Sequence, residues 1–237
     1  MQHTLVVDTP PALARQLAAR LEEEAAQALA ARGRFTLAVS GGSVGETFLP
    51  MLVAAQVDWP RVDVFWLDER AVPPDHPDSN YRLAWEPWLS RVGADPSRVH
   101  RLRADATDLD AAALVAEREL RAVLGEGGSL DLALAGVGPD GHVASLFPGH
   151  RALAETDRWV VAVDDSPKPP PRRLTWTLRA FAATDLLVVA AFGTAKAEAV
   201  RAAIADPDST LPLALAARRA RRLWWLLDPA AAAGLPG

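Results

Sequence analysis

The stretch Leu130-Asp131-Leu132-Ala133-Leu134-Ala135-Gly136-Val137-Gly138-Pro139-Asp140-Gly141-His142 decides the fold. Leu130 to Ala135 is a short apolar run of the kind that forms a fully buried strand. Glycines and a proline then force a sharp turn at its carboxyl end. In open α/β sheets that end borders the crevice where ligands bind. The turn delivers His142 there, and imidazole is the side chain whose unperturbed pKa lies closest to neutrality. A histidine on a glycine hinge at a strand end has the character of a proton-transfer site.

The same alternation continues outward in both directions. Thr9-Pro10-Pro11 predicts a helix start with a capping hydroxyl and a proline in the first turn. Leu13, Leu17, Leu21 and Leu29 mark its apolar stripe, and Gly33 ends it. Phe35 to Val39 reads as a buried strand leading into Ser40-Gly41-Gly42-Ser43 and a helix through Phe48 and Leu52. Val62 to Leu67 is the next strand, with Asp68-Glu69-Arg70 as a loop at its end. A proline-rich loop over Ala71 to Asp78 precedes a helix capped by Ser79 or Asn80, and Asp110 to Leu124 is helical. Strands are predicted over Trp159 to Val163, Leu174 to Leu178, Leu186 to Phe192 and Leu223 to Leu227, with a helix from Thr194 to Ile204 among them. Such alternation predicts a doubly wound α/β fold with a mainly parallel sheet and helices on both faces. The helix-free segment from Trp159 to Leu178 makes part of the sheet antiparallel. Without a low-complexity linker, residues 1–237 are expected to form a single domain.

Composition narrows the function classes. Half of the 237 residues are hydrophobic, enough for a large core, and cysteine is absent. That absence removes thiolate nucleophiles and Cys-ligated metals and fits the cytoplasm. Met1 to Asp8 carries no secretory signal pattern, and no apolar window is long enough to span a membrane. A net charge of −5 without a basic stripe argues against nucleic-acid partners. The Arg218-Arg219-Ala220-Arg221-Arg222 cluster reads as a solvated turn before the last strand. A monomer or small homo-oligomer is expected.

Three strand-end motifs compete for chemistry. Gly41-Gly42-Ser43-Val44-Gly45 fits the G-x-S-x-G of a serine nucleophile elbow, but only one predicted strand precedes it. The same residues suit a phosphate cradle at a helix amino terminus, or a tight turn with Ser43 capping the helix. Gly136-x-Gly138-x-x-Gly141 with Asp164 is formally a dinucleotide fingerprint, yet Pro148-Gly149 cuts short the helix it requires. Asp140, His142 and His150 form no recognised metal pattern, so no metal or cofactor is expected. Arg70 offers a permanent charge for a phosphate or a developing oxyanion, or else pairs with Asp68 or Glu69. Lys196 begins a helix, where a cation opposes the dipole unless an anion lies nearby. Arg172 and Arg173, after a triple proline, supply a second cation.

Ser40-Gly41-Gly42-Ser43, Leu67-Asp68-Glu69-Arg70-Ala71-Val72-Pro73 with Ser79-Asn80, and Gly136-x-Gly138-x-Asp140-Gly141-His142-x-Ala144-Ser145-Leu146-Phe147-Pro148 together resemble the 6-phosphogluconolactonase family, in order over nearly the whole chain. That family shares its doubly wound fold with glucosamine-6-phosphate deaminase/isomerase. The resemblance implies hydrolysis of a phosphorylated sugar lactone in the oxidative pentose phosphate pathway, with His142 as the general base and Asp140 orienting it. It implies a substrate and phosphate site of Gly41, Gly42, Ser43, Asp68, Arg70, Arg173 and Lys196. Where the deaminase branch carries an Asn-Glu pair after its histidine, this chain has Leu146-Phe147. An aminosugar-phosphate isomerase, a serine esterase labelled at Ser43 and a non-catalytic sugar-phosphate sensor remain the competing readings.

Overall fold

Phe35–Val39 and Val62–Trp66 are buried at every position, as strands covered on both faces must be. Their β-branched and aromatic residues fill the middle of a sheet whose two faces are both closed by helices. A computed structural model describes residues 2–235. In chain order its strands are β1 (Gln2–Val7), β2 (Phe35–Val39), β3 (Val62–Trp66), β4 (Asp68–Arg70), β5 (Val99–His100), β6 (Leu130–Gly136), β7 (Val160–Val163), β8 (Arg173–Trp176), β9 (Thr184–Ala191) and β10 (Arg222–Leu227). The helices are α1 (Pro10–Arg32), α2 (Gly42–Phe48), α3 (Asn80–Trp85), α4 (Leu109–Leu124), α5 (Leu178–Ala182), α6 (Ala197–Ala205) and α7 (Pro212–Ala217).

Seven strands form one sheet in the order β1-β10-β9-β6-β2-β3-β5, and every pairing in it is parallel. The doubly wound, mainly parallel fold expected from the alternation is present. Its antiparallel part is a separate three-stranded sheet, β4-β8-β7, rather than an edge of the large one. Nearly all of the buried apolar residues pack as one continuous cluster. No helix of the described residues is long and apolar enough to cross a membrane.

Several local expectations need correction. Asp68-Glu69-Arg70 is not a loop but the strand β4, which recruits β8 as its partner. Thr9 makes no side-chain cap on α1; its N–H instead takes the Asp8 carboxylate. The α2 helix stops at Phe48 and continues to Ala54 as a tighter 3₁₀ turn. The strand expected to reach Leu178 ends at Trp176, because Thr177 caps a new helix, α5, with its hydroxyl. The basic cluster is not a solvated turn throughout. Arg222 enters β10 and binds both oxygens of Glu24 from α1 and the Asp185 carboxylate, each at 2.7 Å.

Candidate active site

The strand order explains why distant motifs meet. β9, β6, β2 and β3 are consecutive neighbours and run the same way, so the segments at their carboxyl ends lie side by side. Lys196 follows β9, His142 follows β6, Gly41 to Ser43 follow β2, and Asp68 to Arg70 follow β3. A cleft with about 470 Å³ of empty space opens over these ends, lined by residues that include Gly42, Ser43, Asp68, Arg70, His142 and Arg173.

The glycine turn after β2 is shaped by a close approach. A Cβ on Gly41 would lie 1.9 Å from the Asn80 side-chain oxygen, so only glycine fits against that residue. Gly42 at φ +63° turns the chain into α2. From the far side, the Lys196 ammonium donates to Ser43 Oγ at 2.9 Å, joining the ends of β9 and β2. Burial pushes the Lys196 ammonium below its ordinary pKa, against the pull of Asp228.

The imidazole is held from behind. Gly138 packs on its ring so tightly that a Cβ there would sit 1.9 Å from His142 Cε1. His142 Nδ1 lies 2.5 Å from Asp140 Oδ1, and Phe147 packs on the ring at 4.8 Å between centroids. Nε2 makes no hydrogen bond among the described residues. Burial lowers the His142 pKa, the hydrogen bond and charge of Asp140 raise it, and the Lys168 charge lowers it again; the net shift is downward. The Asp140 carboxyl is itself pushed up by burial, but His142 and Lys168 outweigh that and leave it below its ordinary range. The imidazole is therefore neutral at neutral pH, with a carboxylate beside Nδ1. That is the protonation state a general base requires.

The third wall is built on Glu69. This buried carboxylate accepts the backbone N–H groups of Arg70, Asn80 and Tyr81, each at 2.8 Å, and the Ser79 hydroxyl at 3.1 Å. It thereby ties β4 to the start of α3. Asp68 accepts from Ser145 Oγ at 2.7 Å and from the Asn80 amide. Arg70 is not paired with its neighbours Asp68 or Glu69 through its side chain: Nη1 donates to the Asp78 carbonyl at 2.7 Å, and its buried Nε has no partner.

The two adjacent arginines separate cleanly. Arg172 points outward to Asp164, while Arg173 is 5% exposed and stands on the cleft wall. Every nitrogen of the Arg173 guanidinium is nevertheless engaged by the protein. Nε and Nη2 donate to the carbonyls of Lys168, Pro169 and Pro170, and Nη1 donates to Ser145 Oγ with Asp68 beyond it at 3.8 Å. An arginine committed in this way organises the wall; it does not present a free fork to an anion.

Sequence reasoning missed Lys168, whose Nζ lies 3.1 Å from His142 Nδ1 and 3.2 Å from Asp140 Oδ1. One signal was present. The chain has only two lysines against a background rich in arginine, and each contacts a residue that lines this cleft, Lys168 at His142 and Lys196 at Ser43. His150 is turned away to Asp165. Among the described residues no group of three metal-ligating side chains is gathered closely enough to hold an ion.

Comparison with known proteins identifies the family of the chain. The family described as "Glucosamine-6-phosphate isomerases/6-phosphogluconolactonase" matches residues 8–225. The chain belongs to that family. Within the glucosamine-6-phosphate isomerase/6-phosphogluconolactonase family, it is 44% identical over 220 residues to a Mycobacterium tuberculosis protein named 6-phosphogluconolactonase, covering 88% of each chain. It is 38% identical over 242 residues to a rice protein named probable 6-phosphogluconolactonase 3, chloroplastic, covering 94% of this chain and 73% of that one. The crystal structure of a 6-phosphogluconolactonase from Shewanella baltica superposes with a TM-score of 0.83 at 27% identity, covering 96% of this chain and 97% of that one.

Proposed function

We propose that this chain hydrolyses 6-phospho-D-glucono-1,5-lactone to 6-phosphogluconate. The observation that carries the reading is the neutral imidazole of His142 facing one cleft with the Ser43–Lys196 pair at a neighbouring strand end. The named lactonases among its relatives support the choice of substrate.

In this reading the phosphate sits over the Gly41-Gly42-Ser43 turn, where backbone N–H groups and the Lys196 ammonium meet its charge. The lactone carbonyl then lies toward His142. A water donates its proton to Nε2 while its oxygen bonds to C1, and the carbonyl electrons move onto the oxygen. Asp140 steadies the imidazolium through Nδ1–H, and Arg70 stabilises the developing oxyanion. As the carbonyl reforms, the C1–O5 bond breaks and the imidazolium returns its proton to O5. The open-chain acid then ionises. A δ-lactone is an activated ester, so this sequence needs no covalent intermediate. Asp68, bridging Ser145 and Asn80, keeps the wall in register; Arg173 belongs to the same wall and serves the substrate indirectly. The work needs no nucleic acid or membrane, and a monomer or small homo-oligomer in the cytoplasm suffices.

An aminosugar-phosphate isomerase needs additional proton-transfer groups near its histidine. Here Leu146 is buried and Phe147 packs its ring on the imidazole. The test is direct. Purified protein should remove the lactone well above its spontaneous rate and release no ammonia from glucosamine 6-phosphate. His142→Ala should lower kcat/KM by about 10²–10⁴-fold; a variant with full activity would overturn the mechanism.

A further inference from the structure

The imidazole of His142 has two partners at one nitrogen, and they make opposite demands. Asp140 Oδ1, 2.5 Å away, requires that Nδ1 carry a proton. An ammonium 3.1 Å away, as Lys168 Nζ is, could instead donate to a bare Nδ1 and leave the proton on Nε2. The second arrangement would abolish base catalysis, because the nitrogen left free to meet water would already hold its proton. The third side of the triangle decides between them. Lys168 Nζ lies 3.2 Å from the same Asp140 oxygen, so the ammonium and the Nδ1–H can both donate to one carboxylate.

The backbone from which that ammonium reaches is held on two sides. The Lys168 N–H donates to Ser166 Oγ, whose own hydroxyl donates back to the Lys168 carbonyl at 2.8 Å. The Arg173 guanidinium grips the carbonyls of Lys168, Pro169 and Pro170 from the opposite side. An arginine that the sequence motif suggests for the substrate is spent on fixing a lysine.

We infer that Lys168 is a positioning residue of the hydrolytic centre: by sharing the Asp140 carboxylate with His142, it keeps the imidazole proton on Nδ1 and the Nε2 lone pair free for water. The inference rests on the lactonase reading for its role but not for its geometry. Lys168 also offsets the Asp140 charge, which would otherwise stabilise the imidazolium. The other charged groups facing the ring are Asp68, acting from β4, and Arg173, stacked beyond Phe147 at 5.8 Å from that ring's centroid. Neither makes a hydrogen bond to the Lys168 side chain; Arg173 meets only the backbone carbonyl there.

The experiment measures the pH dependence of lactone hydrolysis for wild type, Lys168→Met and Lys168→Arg, with nitrogen NMR of His142 in the same proteins. Removing the cation should move the acid limb of kcat/KM to higher pH by about one unit, a loss of roughly tenfold on that limb. The limb should return to within about 0.3 units of wild type in Lys168→Arg, which keeps the charge. The NMR should find the wild-type proton on Nδ1. An unmoved limb in a folded Lys168→Met protein overturns the inference, as does a wild-type imidazole protonated on Nε2. The second result is available even if the methionine variant does not fold. Should wild type prove inactive on the lactone, the proposed function falls separately, and a His142 titration that rises in Lys168→Met would still uphold the coupling.

Discussion

At the scale of single residues, the site is a division of labour between charges that are free and charges that are spent. Lys196 keeps its ammonium at the rim beside Ser43, while Arg173 is consumed by carbonyls. Replacing Lys196 with methionine should therefore weaken substrate binding, raising KM by about 10–100-fold, as for one charge-assisted contact. Steady-state kinetics on the phosphorylated and unphosphorylated lactone would show the penalty for the former alone. The depressed pKa of His142 has its own consequence. A base acts when deprotonated, so the acid limb of kcat/KM should lie below the ordinary histidine value of 6.5. Much of this was legible: the glycine turns, His142, Asp140 and Lys196 all stand out by residue type and by position at strand ends. The commitment of Arg173 was not, because motif spacing cannot reveal which carbonyls a side chain will meet after folding.

At the scale of elements, the wall formed by β4 and the start of α3 depends on one carboxylate. Glu69 satisfies four donors with two oxygens, and glutamine would turn an amide against two of them. Glu69→Gln should cost about 2–4 kcal/mol, read as a lower urea midpoint, with activity lost alongside. The strongly apolar strands were readable from local sequence, since β2, β3, β6 and β9 carry runs that must be buried. Others were not. β4 consists of Asp68, Glu69 and Arg70, a composition that reads as loop, and becomes a strand only because β8 pairs with it. The two residues of β5 and the five of α5 are too short to carry a period. The first strand escaped notice because Leu5 and Val7 alternate only over a few residues at the margin of the sheet. In each case tertiary partners overrule local preference.

At the scale of the whole molecule, one guanidinium bolts the sheet to its longest helix. Arg222 on β10 holds Glu24 on α1 and Asp185 on β9, and this pairing raises the arginine and leaves Glu24 low against the upward push of burial. Arg222→Met would leave the nearly buried Glu24 carboxylate with Arg20, 2.9 Å away on the same helix, as its remaining partner and should destabilise the protein by about 2 kcal/mol at neutral pH. The sign with pH follows from the lowered Glu24. Its stabilisation is complete above the ordinary carboxyl pKa of 4.5 and fades as pH falls through the folded-state value. The gap between wild type and variant in denaturant melts should accordingly close in acid. A gap that stays constant down to pH 3 would rule the pairing out as its source.

The pairing of β1 with β10 bears on biogenesis. The opening strand has no neighbour until roughly two hundred further residues have left the ribosome, a wait on the order of ten to forty seconds at usual translation speeds. During that interval the nascent chain carries an unmatched strand bearing Leu5 and Val7, while the sheet beyond it can already assemble from β2, β3 and β6. Ribosome-bound fragments ending before Arg222 should therefore engage holding chaperones through β1 and let go once β10 emerges.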